Sequence, residues 1–93
     1  TGARQTVYVV DDDDAVRDSL AMLLRSVELP VEAFDSGVAF LEKFRPEMSG
    51  CLILDIRMPK MSGIEVQQKL RELGCRLPVI FIRSWLHLRV TRL

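Results

Sequence analysis

The sequence has few of the residues that build zinc sites and disulfide frameworks. Its 93 residues include two cysteines and one histidine. Cys51 and Cys75 are not in CxxC spacing, and no histidine lies near either of them in the sequence. This spacing argues against a zinc site and predicts two reduced thiols, as is usual in a cytosolic protein.

Net charge and long hydrophobic runs are absent as well. Lys plus Arg balance Asp plus Glu at 13 each, so no overall field attracts nucleic acid or a membrane surface. No apolar run approaches the roughly 18 residues that span a bilayer, and residues 1–6 carry no signal-peptide pattern. The length suits one domain. We therefore expect a single cytoplasmic domain with no membrane partner.

Short apolar runs predict the strands of a parallel sheet. Residues 7–10, 51–54 and 79–82 are continuously apolar and rich in β-branched side chains. Such runs are typical of strands that are buried on both faces. Residues 31–34 form a shorter, alternating run, which predicts a half-covered edge strand.

Three amphipathic segments between these runs predict helices. Ser36 is expected to cap the second helix and Pro46 to end it, while Ser62 and Glu65 form a capping box that opens the third. Gly74 is placed to end the third helix in the left-handed conformation. The expected apolar stripes are Val16, Leu20, Leu23, Leu24 and Val27 in the first helix, Phe40, Leu41 and Phe44 in the second, and Val66, Leu70 and Leu73 in the third.

The order βαβαβαβ predicts a doubly wound α/β fold with a parallel sheet. With the common strand order 2-1-3-4, the ligand site lies between the tips of strands 1 and 3. Strand 1 runs directly into Asp11 and Asp12, and strand 3 runs into Asp55. We therefore expect three carboxylates from distant sequence positions to meet in one crevice.

Carboxylates that share a crevice repel one another, and a proton or a bound cation relieves the repulsion. Because every candidate ligand is an oxygen, Mg²⁺ is favoured over zinc. Asp55 is the best-placed nucleophile, since it stands alone at its strand tip, and a carboxylate can attack phosphorus to give an acyl phosphate. The alternative reading is that aspartates after strands are ordinary helix caps, and either Asp13 or Asp14 is expected to cap the first helix.

Two segments resemble the response-regulator receiver family of two-component signalling. Residues 9–17 (VVDDDDAVR) are similar to that family's first strand and acidic pair, and residues 54–63 (LDIRMPKMSG) are similar to its phosphorylation loop. The stretch around residues 40–42 further resembles the FixJ-type branch. The resemblance extends over residues 6–82.

The resemblance implies a flavodoxin-like fold and a phospho-acceptor rather than an enzyme. Asp55 would receive the phosphoryl group from a sensor histidine kinase. Asp12 and Asp55 would bind Mg²⁺ directly, Asp11 would act through water, and Arg57 would offer its backbone carbonyl to the metal. FixJ-type members usually regulate transcription through a C-terminal helix-turn-helix domain, so contact with DNA is expected only through an output domain that this sequence does not contain.

The sequence departs from the family after strand 4. Receiver domains place a Thr or Ser there and a Lys after a fifth strand, whereas Arg83 follows Ile82 and Ser84 comes one residue late. The fifth strand, its Lys and the last two helices have no counterpart. We therefore interpret residues 1–82 as a partial receiver domain and residues 83–93 as an atypical tail.

A frameshift would account for this tail. The FixJ branch usually continues with Thr-Gly-His-Gly after the fourth strand. The coding run ACC-GGT-CAT-GGC, read after the loss of two bases, gives CGG-TCA-TGG, which encodes the Arg-Ser-Trp found at residues 83–85. We interpret the tail as out of frame, and a gene with no alternative frame for the rest of a receiver domain would contradict this.

Truncation would leave strand 4 as an exposed apolar edge, which predicts self-association through that edge or the adjacent sheet face. The tail alternates Leu86, Leu88 and Val90 with polar residues, which favours a replacement strand over a nucleic-acid contact. Two other functions remain open. One is an interaction module that works without phosphorylation, and the other is a hydrolase with an Asp nucleophile, although such enzymes want a second Asp where Arg57 stands.

Overall fold

The computed structural model describes residues 5–83. They form seven elements in the predicted order βαβαβαβ, with bounds that match the predicted ones closely. The elements are β1 (Gln5–Val10), α1 (Asp14–Ser26), β2 (Val31–Phe34), α2 (Gly37–Lys43), β3 (Ser49–Asp55), α3 (Gly63–Glu72) and β4 (Val79–Ile82). The predictions made for residues 84–93 lie outside the described residues.

The four strands form one parallel sheet in the order β2-β1-β3-β4. This is the predicted doubly wound, flavodoxin-like arrangement. Val10 pairs in register with Leu54, and Asp55 pairs with Ile82. The carboxyl ends of β1, β3 and β4 therefore lie side by side at one edge of the sheet.

The hydrophobic core lies on the face of the sheet that α2 and α3 cover. Phe40 of α2 is fully buried at its centre. Its ring centroid lies 5.2 Å from that of Phe34 and 5.7 Å from that of Tyr8. Such tilted and edge-on aromatic pairs add to the free energy gained by burial. The core comprises Tyr8, Val10, Phe40, Phe44, Leu52, Leu54, Val66, Leu70 and Leu77.

The opposite face carries α1, which packs on β1 and β2. The structure differs here from the predicted apolar stripe of α1, because Leu23 and Val27 are 62% and 60% exposed. Ile80, on the same face of the sheet, is 52% exposed. Within residues 5–83, this face is apolar and only partly covered.

The helix ends follow the capping residues that the sequence indicated. Oδ1 of Asp13 accepts hydrogen bonds from the N–H groups of Ala15 and Val16, at 2.9 and 3.1 Å, so Asp13 rather than Asp14 caps α1. Ser36 caps α2. Ser62 and Glu65 make both bonds of the capping box. The capping predictions are therefore confirmed, and they fix where each helix starts relative to the sheet.

The ends of α2 and α3 are set by local backbone constraints. α2 ends at Lys43, ahead of the extended segment that Pro46 imposes on the preceding residue. α3 ends at Glu72 with Leu73 as its C-cap, and Gly74 follows with a φ of +82°, the left-handed conformation predicted for it. Leu73 immediately precedes this turn and is 50% exposed, so it does not join the buried stripe of α3. Cys51 and Cys75 are free and half-buried.

Within the described part of the chain, every helix is too short or too polar to cross a lipid bilayer.

Candidate functional site

The tips of β1 and β3 bring together the three carboxylates that the sequence singled out. One oxygen from each of Asp11, Asp12 and Asp55 lies within 4.8 Å of the other two. The pairing of Val10 with Leu54 places the residues that follow side by side, although they are more than forty positions apart in sequence. Asp11 and Asp55 are fully buried, whereas Asp12 is exposed. Two carboxylates of the cluster are therefore buried, and the third is open to solvent.

The two buried carboxylates are held by the same local device. Oδ1 of Asp11 accepts a hydrogen bond from the N–H of Asp13 at 2.9 Å, and Oδ1 of Asp55 accepts one from the N–H of Arg57 at 3.1 Å. In each case the aspartate side chain binds the backbone two residues ahead, which is an Asx turn. These turns direct both carboxylates back over the strand tips instead of into solvent.

Gly63 determines how tightly the loop after β3 closes. Its N–H donates to the carbonyl of Ile56 at 2.9 Å. A Cβ at position 63 would lie 2.3 Å from the carbonyl oxygen of Asp55 and 3.0 Å from the Cα of Ile56. Only glycine fits this approach, because the obstructing atoms are backbone atoms that cannot rotate away. The loop of residues 56–62 is thereby anchored directly behind Asp55.

The acidity of Asp11 is strongly perturbed. Its pKa is raised from 3.8 to about 7, chiefly by burial and also by the nearby charges of Asp55 and Asp12, while the hydrogen bond from the N–H of Asp13 opposes the shift. With both buried carboxylates ionised, Oδ2 of Asp11 is buried without a hydrogen-bond donor among residues 5–83. A proton between Asp11 and Asp55, or a cation, would satisfy that oxygen.

This shift predicts a metal-free protein that loses stability as the pH rises. Because the pKa of Asp11 is higher in the folded state than its ordinary value, the contribution of Asp11 to stability is full below pH 3.8 and is lost as the pH rises to about 7. The loss amounts to about 1.4 kcal/mol per pKa unit. Urea unfolding followed by circular dichroism in EDTA, from pH 4 to pH 8, measures it.

The variant Asp11→Asn is the matched control for this measurement, because it keeps the side-chain volume and removes the titrating group. We expect the fall in unfolding free energy to be steeper in the wild-type chain than in the variant. Equal pH dependence in the two proteins would contradict the assignment of the titration to Asp11.

The two remaining positions near the cluster are Arg57 and Arg83. The side chain of Arg57 is exposed, and its main chain lies beside Asp55 through the 3.1 Å bond; the metal-binding role of its carbonyl stays a prediction. Arg83 is exposed and follows Ile82, whose carbonyl accepts a bond from Ile56 at 3.0 Å. The position where the family has a sensing hydroxyl therefore carries a guanidinium group.

Sequence reasoning missed two features around the cluster. Arg17 of α1 donates a hydrogen bond to the carbonyl of Asp11 at 2.9 Å; the only sequence signal was its spacing of three from Asp14. A groove of about 390 Å³ also runs beside Asp12, between the segments 35–38 and 58–61. Met58 and Met61 pack against the core and also line this groove.

Comparison with known proteins agrees with the family resemblance. The sequence profile of the response regulator receiver domain matches residues 7–89. The response regulator protein TmoT of Ectopseudomonas mendocina is 54% identical over 76 residues, which are 82% of this chain and 34% of TmoT. The transcriptional regulatory protein FixJ of Azorhizobium caulinodans is 47% identical over 74 residues, or 80% of this chain and 35% of FixJ. The chain spans about a third of the length of these relatives.

Solved structures show the same fold. The response regulator StyR superposes with a TM-score of 0.85 at 48% identity, covering 94% of this chain and 46% of StyR. A chain from the complex of the histidine kinase ThkA with the response regulator TrrA gives a TM-score of 0.77 at 29% identity, covering 91% of this chain and 73% of that one. Since the profile covers most of the sequence and the neighbours share its topology, the chain belongs to the response regulator receiver domain family.

Proposed function

We propose that this chain receives a phosphoryl group on Asp55 from a sensor histidine kinase, with Mg²⁺ held by the acidic cluster. The observation that carries the proposal is the meeting of three carboxylates within 4.8 Å at the tips of β1 and β3. Two of them are buried, and buried like charges are costly unless a cation or a proton offsets them. A purely structural role would not explain this cost in folding free energy.

The residues present fit Mg²⁺. The donor set consists of oxygens, and Oδ2 of Asp11 is a buried acceptor without a donor among the described residues. Asp12 is exposed, which leaves room for the waters that Mg²⁺ retains in proteins. When bound, Mg²⁺ would neutralise charge on the cluster and on the transferring phosphoryl oxygens. Asp12 and Asp55 would supply carboxylate ligands, Asp11 would act through a water molecule, and Arg57 would offer its backbone carbonyl.

The protein's own part in the transfer is to present Asp55 as the nucleophile. An oxygen of the Asp55 carboxylate forms a bond to phosphorus while the bond from phosphorus to the donor breaks, and the leaving group keeps the electron pair. The hydrogen bond from the N–H of Arg57 to Oδ1 of Asp55 fixes the orientation of the carboxylate. Holding a reactant in a fixed orientation is a large source of rate enhancement.

The proposed phosphodonor is a histidine kinase. This chain has the fold of a chain from the complex of the histidine kinase ThkA with the response regulator TrrA, which supports a kinase as its partner. We further propose that the output is transcriptional and lies in sequence beyond this chain, because the chain spans only about a third of relatives such as FixJ, which is a transcriptional regulator. In this proposal the chain acts in the cytoplasm and is a stoichiometric phospho-acceptor, not a turnover enzyme.

The alternative is an interaction module that works without phosphorylation. One observation favours it: the position after β4 holds the exposed Arg83 in place of a hydroxyl residue. The proposed hydrolase activity is less well supported, because the exposed Arg57 stands two residues after Asp55, where a general acid would be needed.

Incubation with acetyl phosphate separates these functions. We expect intact-mass spectrometry to detect one phosphoryl adduct per chain in Mg²⁺ and none in EDTA. The adduct should be lost on treatment with hydroxylamine, which cleaves acyl phosphates and leaves phosphoserine intact. A folded chain that stays unmodified at saturating Mg²⁺ would favour the interaction module. Sustained release of phosphate from an unrelated phosphomonoester would favour the hydrolase.

Self-association stays a prediction, and the structure supplies residues with which to test it. Leu23, Val27 and Ile80 are each at least half exposed on the α1 face of the sheet. We expect Ile80→Lys to shift sedimentation equilibrium toward monomer, because burial of the lysine charge in an apolar contact is unfavourable. Val38→Lys, at a 46% exposed position on α2, is the control. A wild-type chain that is monomeric at every concentration tested would contradict the prediction.

A further inference from the structure

We propose that Arg17 is a positioning residue for the metal site: its guanidinium group fixes the β1–α1 turn (residues 11–13) so that Asp11 and Asp12 point at the cation. The inference rests on the proposed Mg²⁺ site and adds a residue that the family resemblance did not assign. Arg17 binds no reacting atom itself and acts through the backbone of Asp11.

The guanidinium group of Arg17 donates two hydrogen bonds, one to each side. Nη1 donates to the carbonyl oxygen of Asp11 at 2.9 Å, and Nη2 donates to Oδ1 of Asp14. The Arg17 side chain is only 18% exposed, whereas that of Asp14 is 85% exposed. The guanidinium group therefore lies against the turn, and its Nη2 is hydrogen-bonded to Asp14 on the solvent side.

The carbonyl that Arg17 binds belongs to the peptide that links the two predicted ligands. The N–H of Asp11 is still part of the sheet, since it donates to the carbonyl of Phe34 at 3.1 Å. Its carbonyl is the first group beyond the ladder, and Arg17 takes the place of a strand partner there. Together with the bond from the N–H of Asp13 to Oδ1 of Asp11, this fixes the Asp11–Asp12 peptide from both sides.

Support for α1 is a poor alternative explanation of these contacts. Arg17 lies within the first four residues of α1, where a positive charge opposes the helix dipole. Its ion pair is with a carboxylate that is 85% exposed, and such pairs contribute little to stability. The hydrogen bond to the carbonyl of Asp11 is the more buried of the two. It connects Arg17 to the acidic cluster and not to another residue of the helix.

Positioning and simple electrostatics predict opposite effects on metal affinity. A cationic side chain near the cluster repels Mg²⁺, so its removal would tighten binding if charge were its main contribution. If Arg17 instead positions the ligands, its removal loosens the turn and weakens binding. Outer residues that orient metal ligands typically change affinity by about tenfold or more.

Calorimetric titration of the full chain with Mg²⁺ alone tests the proposal. We expect Arg17→Met to raise the Kd for Mg²⁺ about tenfold, and Arg17→Lys to raise it less, because lysine keeps the charge but cannot bridge two acceptors in a fixed fork. Arg25→Met is the matched control, since Arg25 is exposed in the last turn of the same helix. Its Kd should equal that of the wild type.

Circular dichroism establishes that each variant is folded at the titration temperature. If Arg17→Met is unfolded, the test relies on Arg17→Lys. Equal or tighter Mg²⁺ binding by Arg17→Met, or wild-type affinity in Arg17→Lys, would overturn the inference. Failure of the wild-type chain itself to bind Mg²⁺ would count against the proposed function instead, so the two failures are distinguishable.

Discussion

Replacement of Asp55 with asparagine is expected to abolish formation of the phosphoryl adduct. The amide oxygen is a far weaker nucleophile than a carboxylate and cannot give a stable acyl phosphate. Asparagine has nearly the same volume, and it removes one of two buried like charges, so the variant should fold at least as stably as the wild type in the absence of metal. Intact-mass spectrometry after incubation with acetyl phosphate and Mg²⁺ measures the loss.

The control for this experiment lies in the same acidic environment. Asp13 caps α1 and is not part of the three-carboxylate cluster, and asparagine is as good an N-cap as aspartate. Asp13→Asn should therefore retain the adduct. Undiminished modification of Asp55→Asn would mean that another carboxylate is the acceptor, and would contradict the assignment.

The second large effect is expected at Gly63. A Cβ at this position would sit 2.3 Å from the backbone oxygen of Asp55, so Gly63→Ala must displace either the start of α3 or the tip of β3. Overpacking against backbone of this kind should cost about 3 kcal/mol. That is a large share of the roughly 5–15 kcal/mol that stabilises a small domain. Urea unfolding gives the loss directly.

Gly74 offers the comparison that separates crowding from backbone conformation. Its φ is +82°, and a Cβ there would meet no atom within 4 Å. Gly74→Ala should therefore cost only about 1 kcal/mol, the penalty of a left-handed non-glycine residue. If the two substitutions were equally destabilising, contact with the carbonyl of Asp55 would not be the reason for glycine at position 63.

The fold was predictable because its signals are local and agree with one another. The continuously apolar, β-branched runs at residues 7–10 and 51–54 are typical of strands that are covered on both faces. Ser62 and Glu65 begin α3 by hydrogen bonds within four residues, and this needs no tertiary information. The position of the site then follows, because parallel strands in the order β2-β1-β3-β4 leave the residues after β1 and β3 adjacent.

Features that depend on contacts across the fold could not be predicted in this way. The sequence pattern places Leu23 in the apolar stripe of α1. Its 62% exposure depends on how α1 sits over β1 and β2, which the pattern does not give. The hydrogen bond from Arg17 to the carbonyl of Asp11 depends on the path of the β1–α1 turn. Similarly, the crowding at Gly63 depends on how closely the loop returns to β3.

The most direct test of the central claim is to map the modified residue in the wild-type chain. Borohydride reduces an aspartyl phosphate to homoserine, which marks the position permanently for peptide sequencing by mass spectrometry. After treatment with acetyl phosphate, we predict homoserine at position 55 and at no other aspartate, and only when Mg²⁺ was present. Homoserine at Asp11, Asp12 or another residue, or labelling at position 55 that is unaffected by EDTA, would contradict the account.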